Sequence, residues 1–148
     1  MRKIWIFIRM FLCGTGVEHR ITPEVILGLR DNEIFVFGSK LSGEHSGGAS
    51  AYAKRHFGAI EGRTLGRQGK SYAIPALSKD SRNPEYGVMN YGISKFITHA
   101  KRYPGTQFYV TLIGREIMTS TKVAPSFRKA IYIDNISLPK EYWEQLLK

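Results

Sequence analysis

His45 and Glu44 lie inside a glycine-rich stretch, Gly43-Glu44-His45-Ser46-Gly47-Gly48, which follows the apolar run 34–37 and its exit, Gly38-Ser39-Lys40. Gly43, Gly47 and Gly48 allow a backbone to approach a ligand with no Cβ in the way. Residues 49–57 read as a helix whose first-turn amides point back at that loop. Unpaired N–H groups and the partial positive charge of a helix start make such a turn a phosphate cradle without any dedicated side chain. In that setting His45 is the candidate for general acid or base work, because an imidazole beside a phosphate titrates near neutrality. Its alternative role is to fix the loop as a hydrogen-bond donor. Glu44 is the candidate for activating water, and equally reads as a solvated loop carboxylate. No acid lies within 47–53.

Two familiar phosphate fingerprints are absent. There is no G-x-G-x-x-G, and Gly66-Arg67-Gln68-Gly69-Lys70-Ser71 lacks the first P-loop glycine, Thr64 standing in its place. Lys70-Ser71 also leads into a strand instead of a helix, so 62–70 reads as a basic, mobile loop. There is no H-E-x-x-H, G-x-S-x-G or recognisable Cys–His pair, and His19, His56 and His99 have no spacing that suggests a metal. Neither a metal nor a cofactor is expected.

Twenty-two Lys and Arg against twelve Asp and Glu give a net charge of +10, which favours an anionic partner such as a nucleotide or nucleic acid. The cations are spread along the chain, so a generally basic surface is the plain alternative. Tyr52, His56 and Phe57 interleave with Lys54 and Arg55 as on a nucleic-acid face, without an RNA-binding signature. The single cysteine, Cys13, allows no intrachain disulfide and fits a reducing cytoplasm. Residues 4–12 are apolar but broken by Arg9 and are too short to span a bilayer, so no membrane association is expected. Residues 1–18 read as an N-terminal extension or an extra edge strand, and 19–148 as one α/β domain.

The elements that must position the loop alternate. A short helix is expected over 22–29, with Thr22 as N-cap and Pro23 at the first position. A strand at 34–37 and a helix at 49–57 follow, then a strand at 71–74 stopped by Pro75. Met89, Ile93, Phe96, Ile97 and Ala100 recur at three- and four-residue steps, which predicts an amphipathic helix over 88–102. A strand at 107–113, a helix at 123–130, a strand at 132–136 and a closing helix at 139–147 complete the chain. Strands alternating with helices imply a three-layer α/β/α fold around a mostly parallel mixed sheet. Ligands of such sheets sit beyond the carboxyl ends of the strands, which brings 38–48, 75–80 and 114–122 to one crevice. Phe35, Phe37, Tyr72, Phe96, Phe108 and Tyr109 read as core, with Tyr72 or Tyr132 available to stack on adenine.

ITPEVI, DNEIFVFGSKLSGEHSGGASAYAKRHFGA, GRQGKSYAIPA, FYVTLIG, VAPSF and NISLP together resemble a family of small bacteriophage and bacterial proteins. Its pattern is F-G-S-N, G-x-H-G-x-G-A-A, Y-A-I-P and V-T-x-I-G followed by a second glycine loop, and it covers residues 21–147. That family in turn resembles macrodomains, which bind ADP-ribose. The resemblance implies a macrodomain-like fold and a nucleotide-diphosphate ligand, with Gly38, Ser39, Gly43, His45, Gly47 and Gly48 around its diphosphate or ribose and Gly114 at the opposite wall; Lys40 and Arg115, which depart from the pattern, are expected to bind it with charge in place of backbone donors. If the protein is an enzyme, it implies a hydrolase acting on an ADP-ribosyl or phosphate ester linkage, for which the loop itself offers His45 and Glu44 as the candidate reacting groups. It also implies a setting in phage–host conflict, in the host cytoplasm. Three positions depart from the pattern. Lys40 stands where the family has Asn, Ser46 replaces a glycine, and Arg115-Glu116-Ile117-Met118-Thr119 replaces a G-C-G-[LI]-A-G loop, with Glu116 the acid available there. A basic nucleic-acid-binding or protein-interaction module, with the glycine loops as scaffold, is the competing reading.

Overall fold

Ile34, Val36, Tyr72, Ile74, Phe108 and Val110 bury one set of side chains, and Phe35, Phe37 and Ala73 bury the other, because successive strand residues face opposite ways. That alternation, apolar on both faces, requires a sheet covered on two sides. The computed structural model, which describes residues 16–115 and 117–148, has this α/β architecture. The strands are β1 (Glu33–Lys40), β2 (Gly66–Gln68), β3 (Ser71–Leu77), β4 (Gln107–Val110) and β5 (Ile136–Ser137), in the order β2-β3-β1-β4-β5. β1, β3, β4 and β5 are parallel, and β2 alone runs antiparallel, along β3.

Four helices are described: α1 (Gly48–His56), α2 (Tyr86–Arg102), α3 (Ser120–Val123) and α4 (Lys140–Leu146). The larger core lies between one sheet face and α2, α4 and the 3-10 segment Ala124–Tyr132, with Trp143, Tyr142, Phe96 and Phe127 fully buried. Each such ring contributes roughly 1.5–3 kcal/mol by leaving water. The smaller core joins Phe35, Phe37, Ala53 and Phe57 on the other face, where α1 and the 22–30 segment lie. No helix among the described residues is long and apolar enough to cross a membrane.

Several sequence expectations change. The helix expected over 22–29 is an extended strap. Its backbone is claimed elsewhere: Thr22 N donates to Leu138 O at 2.9 Å and Tyr52 Oη donates to Ile26 O at 2.6 Å. The loop expected over 62–70 contains β2 and is fastened by buried Gln68, which accepts from Ile60 N at 2.7 Å and donates to Arg63 O at 3.0 Å. Pro75 does not stop β3, which runs to Leu77. β2 pairs only as far as Ala73, so Pro75 has no β2 residue opposite it and its missing N–H breaks no bond to that strand. β4 is shorter than expected and leaves the sheet after Thr111 N donates to Val36 O. The strand expected at 132–136 shrinks to Ile136–Ser137, and the helix expected at 123–130 divides into α3 and the 3-10 segment.

Most of the expected extension, residues 1–15 with Cys13, lies outside the described residues. Beyond it, Glu18–Arg20 is one 3-10 turn, and Ile21 bridges Leu138 in parallel, adding a single rung to the β5 edge.

Candidate functional site at the carboxyl ends of the strands

Because β1, β3 and β4 are parallel, the loops 41–47, 78–85 and 111–119 all leave the same end of the sheet. Gly38, within β1, is where two of them meet. A Cβ there would lie 3.1 Å from Ile113 Cγ2 and 3.3 Å from Gly114 N, so a side chain at this position would press the second loop away from the strand end by a few tenths of an ångström. Gly38 and Gly114, expected on opposite walls of a ligand pocket, are in direct contact here.

The glycine loop is held from below. Gly43 has φ of +77°, and a Cβ on it would come within 2.7 Å of the Gly62 backbone, whose N–H donates to Gly43 O at 2.8 Å. Ser39 is buried, and its hydroxyl donates to Thr64 O at 2.6 Å. Both residues thus serve the loop's foundation with the groups they would offer a ligand. Gly47 and Gly48 differ, since a Cβ at either would meet nothing within 4 Å. They border open space at the start of α1.

That helix start is electrostatically bare. Gly47 is its N-cap, no side chain caps it, and its first turn carries no acid. The hydroxyl of Ser50 turns back to Gly47 O at 2.7 Å instead of covering the amides. Lys40 folds over the same loop, its Nζ 3.3 Å from Ser46 Oγ and 3.3 Å from Glu44 Oε2. Lys40 and Ser46 are therefore partners. The exposed Glu44 has its carboxylate paired with Lys40.

His45 is buried at 2% exposure with its ring edge-on to Phe37, centroids 5.4 Å apart. Neither imidazole nitrogen has a hydrogen-bond partner among the described residues. Its backbone N–H donates to Glu61 Oε1 at 2.5 Å, and Glu61 Oε2 holds Lys54 Nζ at 2.7 Å. The Lys54 bond first and the His45 amide second hold the Glu61 carboxyl below its ordinary range. Sequence reasoning passed over Glu61, because an acid sixteen residues from its partner in an irregular loop leaves no periodic signal.

The second loop is filled. Ile117 N and Met118 N both donate to Gly114 O, at 2.9 and 2.7 Å, and buried Met118 lies over Gly114, its Sδ 2.6 Å from where a Cβ would be. Arg115 is exposed; Lys140 mainly, and Arg115 in addition, hold the Glu24 carboxyl below its ordinary value. Glu116 lies outside the described residues. The third loop is closed on itself, with Ser78 Oγ donating to Asp80 Oδ1 at 2.6 Å and Arg82 N donating to the same oxygen at 3.0 Å.

Neither tyrosine proposed for adenine stacking is at this end. Tyr72 is buried near the start of β3 against Phe96 and His99, and its burial pushes its hydroxyl up to about 12. Tyr132 precedes β5, whose neighbour Asn135 donates to Ala100, Tyr103 and Thr106 carbonyls just before β4 begins. Both therefore lie at the amino ends of the strands. An aromatic ring at the carboxyl end of the sheet is Tyr86, at the start of α2, with Lys122 Nζ 5.9 Å from its centroid.

Two open concavities lie elsewhere. One of about 330 Å³ is lined by Pro23, Ile26, Leu27, Glu33 and Tyr109, and one of about 530 Å³ by Lys101, Pro104, Tyr132, Asp134 and Asn135. The chain matches no protein-family model, no curated protein and no solved structure.

Proposed function

We propose that the crevice beside the α1 start binds the phosphates of a nucleotide, with a nucleoside diphosphate such as ADP-ribose as the ligand class. The observation that carries this reading is the bare helix start. Its amides have neither a capping side chain nor a first-turn acid, and they open onto free space at Gly47 and Gly48. An anion there gains the helix dipole and several N–H donors at once. Lys40 supplies a mobile charge that can exchange Glu44 for a phosphate oxygen, and Tyr86 with Lys122 supplies an aromatic and a cationic group at the same sheet end. The resemblance to macrodomain-like phage proteins favours the same ligand class.

Binding is proposed ahead of hydrolysis. Glu44 is neutralised by Lys40, and His45 has both nitrogens sealed from solvent, so neither is poised to activate water in the free protein. Met118 over Gly114 narrows the second wall, which leaves the α1 side to make most of the phosphate contacts.

Isothermal titration calorimetry with ADP-ribose, using AMP as comparison, tests the reading on the wild type and on Gly47→Val. The expected result is saturable one-to-one binding that the variant loses while its circular dichroism spectrum is unchanged. Absence of heat with both ligands, or undiminished binding by a folded Gly47→Val, would remove the crevice as the site.

A further inference from the structure

Between Glu85 and Glu116 the chain has no Asp or Glu, and there is none from Ile117 to Ile133. These stretches build α2, β4, α3 and the 3-10 segment; α4, on the same sheet face, adds Glu141 and Glu144, so the acid-free outer surface is that of α2, α3 and the 3-10 segment. The ion pairs described in the protein use Lys40, Lys54, Lys70 and Lys140, all of them elsewhere. Among the described residues, Lys95, Lys101 and Arg102 on α2 have no carboxylate within salt-bridge distance. Basic residues in the last turn of a helix suit its dipole, which accounts for Lys101 and Arg102. It does not account for Lys95 in mid-helix, or for Arg67, which projects from the edge strand β2 beside the end of α2.

Aromatic rings are set among these charges. The exposed positions of α2 recur as Tyr91, Lys95, Thr98 and Arg102, one solvent-facing stripe roughly 16 Å long. Tyr91 is 57% exposed, Tyr103 42% and Tyr132 83%, an unusual outward placement for three large rings. Two of them have a cation at the ring, and the third shares a concavity with one. Lys95 Nζ is 5.4 Å from the Tyr91 centroid, Arg67 Cζ is 6.0 Å from that of Tyr103, and Tyr132 borders the 530 Å³ concavity shared with Lys101. Asp134, in the rim of that concavity, is the one acid there.

From this we infer that the outer face of α2, running from Tyr91 past Lys95 and Arg102 to Tyr103, Tyr132 and Arg67, is a binding surface for single-stranded nucleic acid. Cations without carboxylate partners take phosphates, and rings standing out of the surface take unstacked bases, a pairing of features that a duplex or an acidic protein does not require. The face is distinct from the crevice, and neither assignment depends on the other.

Fluorescence anisotropy of a labelled oligothymidylate of about 20 nucleotides tests this, with oligouridylate, a duplex of the same length and heparin as comparisons. Expected are binding to the single strands, a salt slope near −3 for about four phosphate contacts, and weaker binding to the duplex. The double variant Lys95→Glu/Arg102→Glu should lose roughly tenfold or more in affinity, whereas Arg55→Glu on α1, the same change of charge on the opposite side, should lose less than about twofold. Tyr91→Ala/Tyr132→Ala should lose about fivefold or more while leaving the salt slope unchanged. All these side chains are exposed, and circular dichroism verifies that each variant is folded. Equal losses from Arg55→Glu, no effect of the tyrosine pair, duplex or heparin bound as tightly as the single strand, or no binding at low salt would each overturn the assignment. Competition by ADP-ribose would likewise move the oligonucleotide to the crevice.

Discussion

The main-chain N–H of His45 is held by the Glu61 carboxylate at 2.5 Å, so the one histidine of the glycine loop is fixed through its backbone and not its ring. Lys54 of α1 grips the same carboxylate, which ties the loop, the helix and the 58–62 turn into one unit. Glu61 is held below its ordinary value of 4.5 by the Lys54 bond first and the His45 amide second, with burial opposing. A carboxyl with a depressed folded pKa adds stability that is complete above the unfolded value and lost as pH falls through the folded one. Thermal melting should therefore show Tm declining below about pH 4.5, and Glu61→Gln should lower Tm at neutral pH while shrinking that acid-side decline. An unchanged acid-side profile in Glu61→Gln would show that this carboxylate does not support the loop.

Two glycines of the loop should respond in opposite ways. Gly43→Ala forces a Cβ to within 2.7 Å of the Gly62 backbone at φ of +77°, where neither side can yield cheaply. A loss of about 2–4 kcal/mol in urea unfolding is expected. Gly47→Ala has free space and an extended φ of −143°, so its cost should stay below about 1 kcal/mol. Chemical denaturation of the two variants side by side measures the contrast, and equal losses would mean the Gly43–Gly62 contact is not formed in solution.

Arg20 joins the chain's beginning to its end. Its guanidinium donates to Ala130, Ile131, Ile133 and Ile136 carbonyls at 2.7–3.1 Å, and it lies 5.0 Å from the Trp143 ring, whose Nε1 donates to Arg20 O at 2.8 Å. A planar fork with five donors can close off several 3-10 carbonyls at once, and an ammonium cannot. Arg20→Ala should cost about 3 kcal/mol or more, because it strands buried acceptors, and Arg20→Lys should recover only part of that. Urea unfolding followed by tryptophan fluorescence reads both.

How far the sequence discloses these relationships depends on whether the controlling contacts are local. The 88–102 helix and the β1–loop–α1 unit follow from apolar periodicity and glycine spacing; the two helices form within two residues of the expected positions, and β1 runs three residues further than expected, to Lys40. The strap 22–30 has a proline and a capping threonine suited to a helix, but tertiary hydrogen bonds to Leu138 and Tyr52 draw it out along the sheet. β2 is just as hidden, because three residues, Gly66, Arg67 and Gln68, carry no strand pattern and owe their place to pairing with β3. In the crevice the sequence points to Gly38, Gly47 and Gly48. It does not disclose that Ser39 faces Thr64, that Met118 covers Gly114 or that Glu61 carries His45, since each depends on which loops the sheet brings together.

His99 offers a separate pH signature, at milder acidity than the carboxylates. Burial first, then Arg67 and Arg102, hold its imidazole below the ordinary value of 6.5, and its ring is enclosed by Tyr72, Tyr103 and Phe108. The folded protein therefore takes up the imidazole proton less readily than the unfolded chain. The resulting stability is complete above about pH 6.5 and is lost as pH falls from there through the lower folded value. A carbon-bound imidazole proton followed by NMR should titrate with a midpoint below 6.5, and Arg102→Gln should move that midpoint upward by removing one of the two repelling cations. In parallel, Tm should begin to fall near pH 6.5 in the wild type, with a shallower slope in His99→Gln. A midpoint at or above 6.5, unmoved by Arg102→Gln, would mean that in solution the ring is hydrated and turned away from the end of α2.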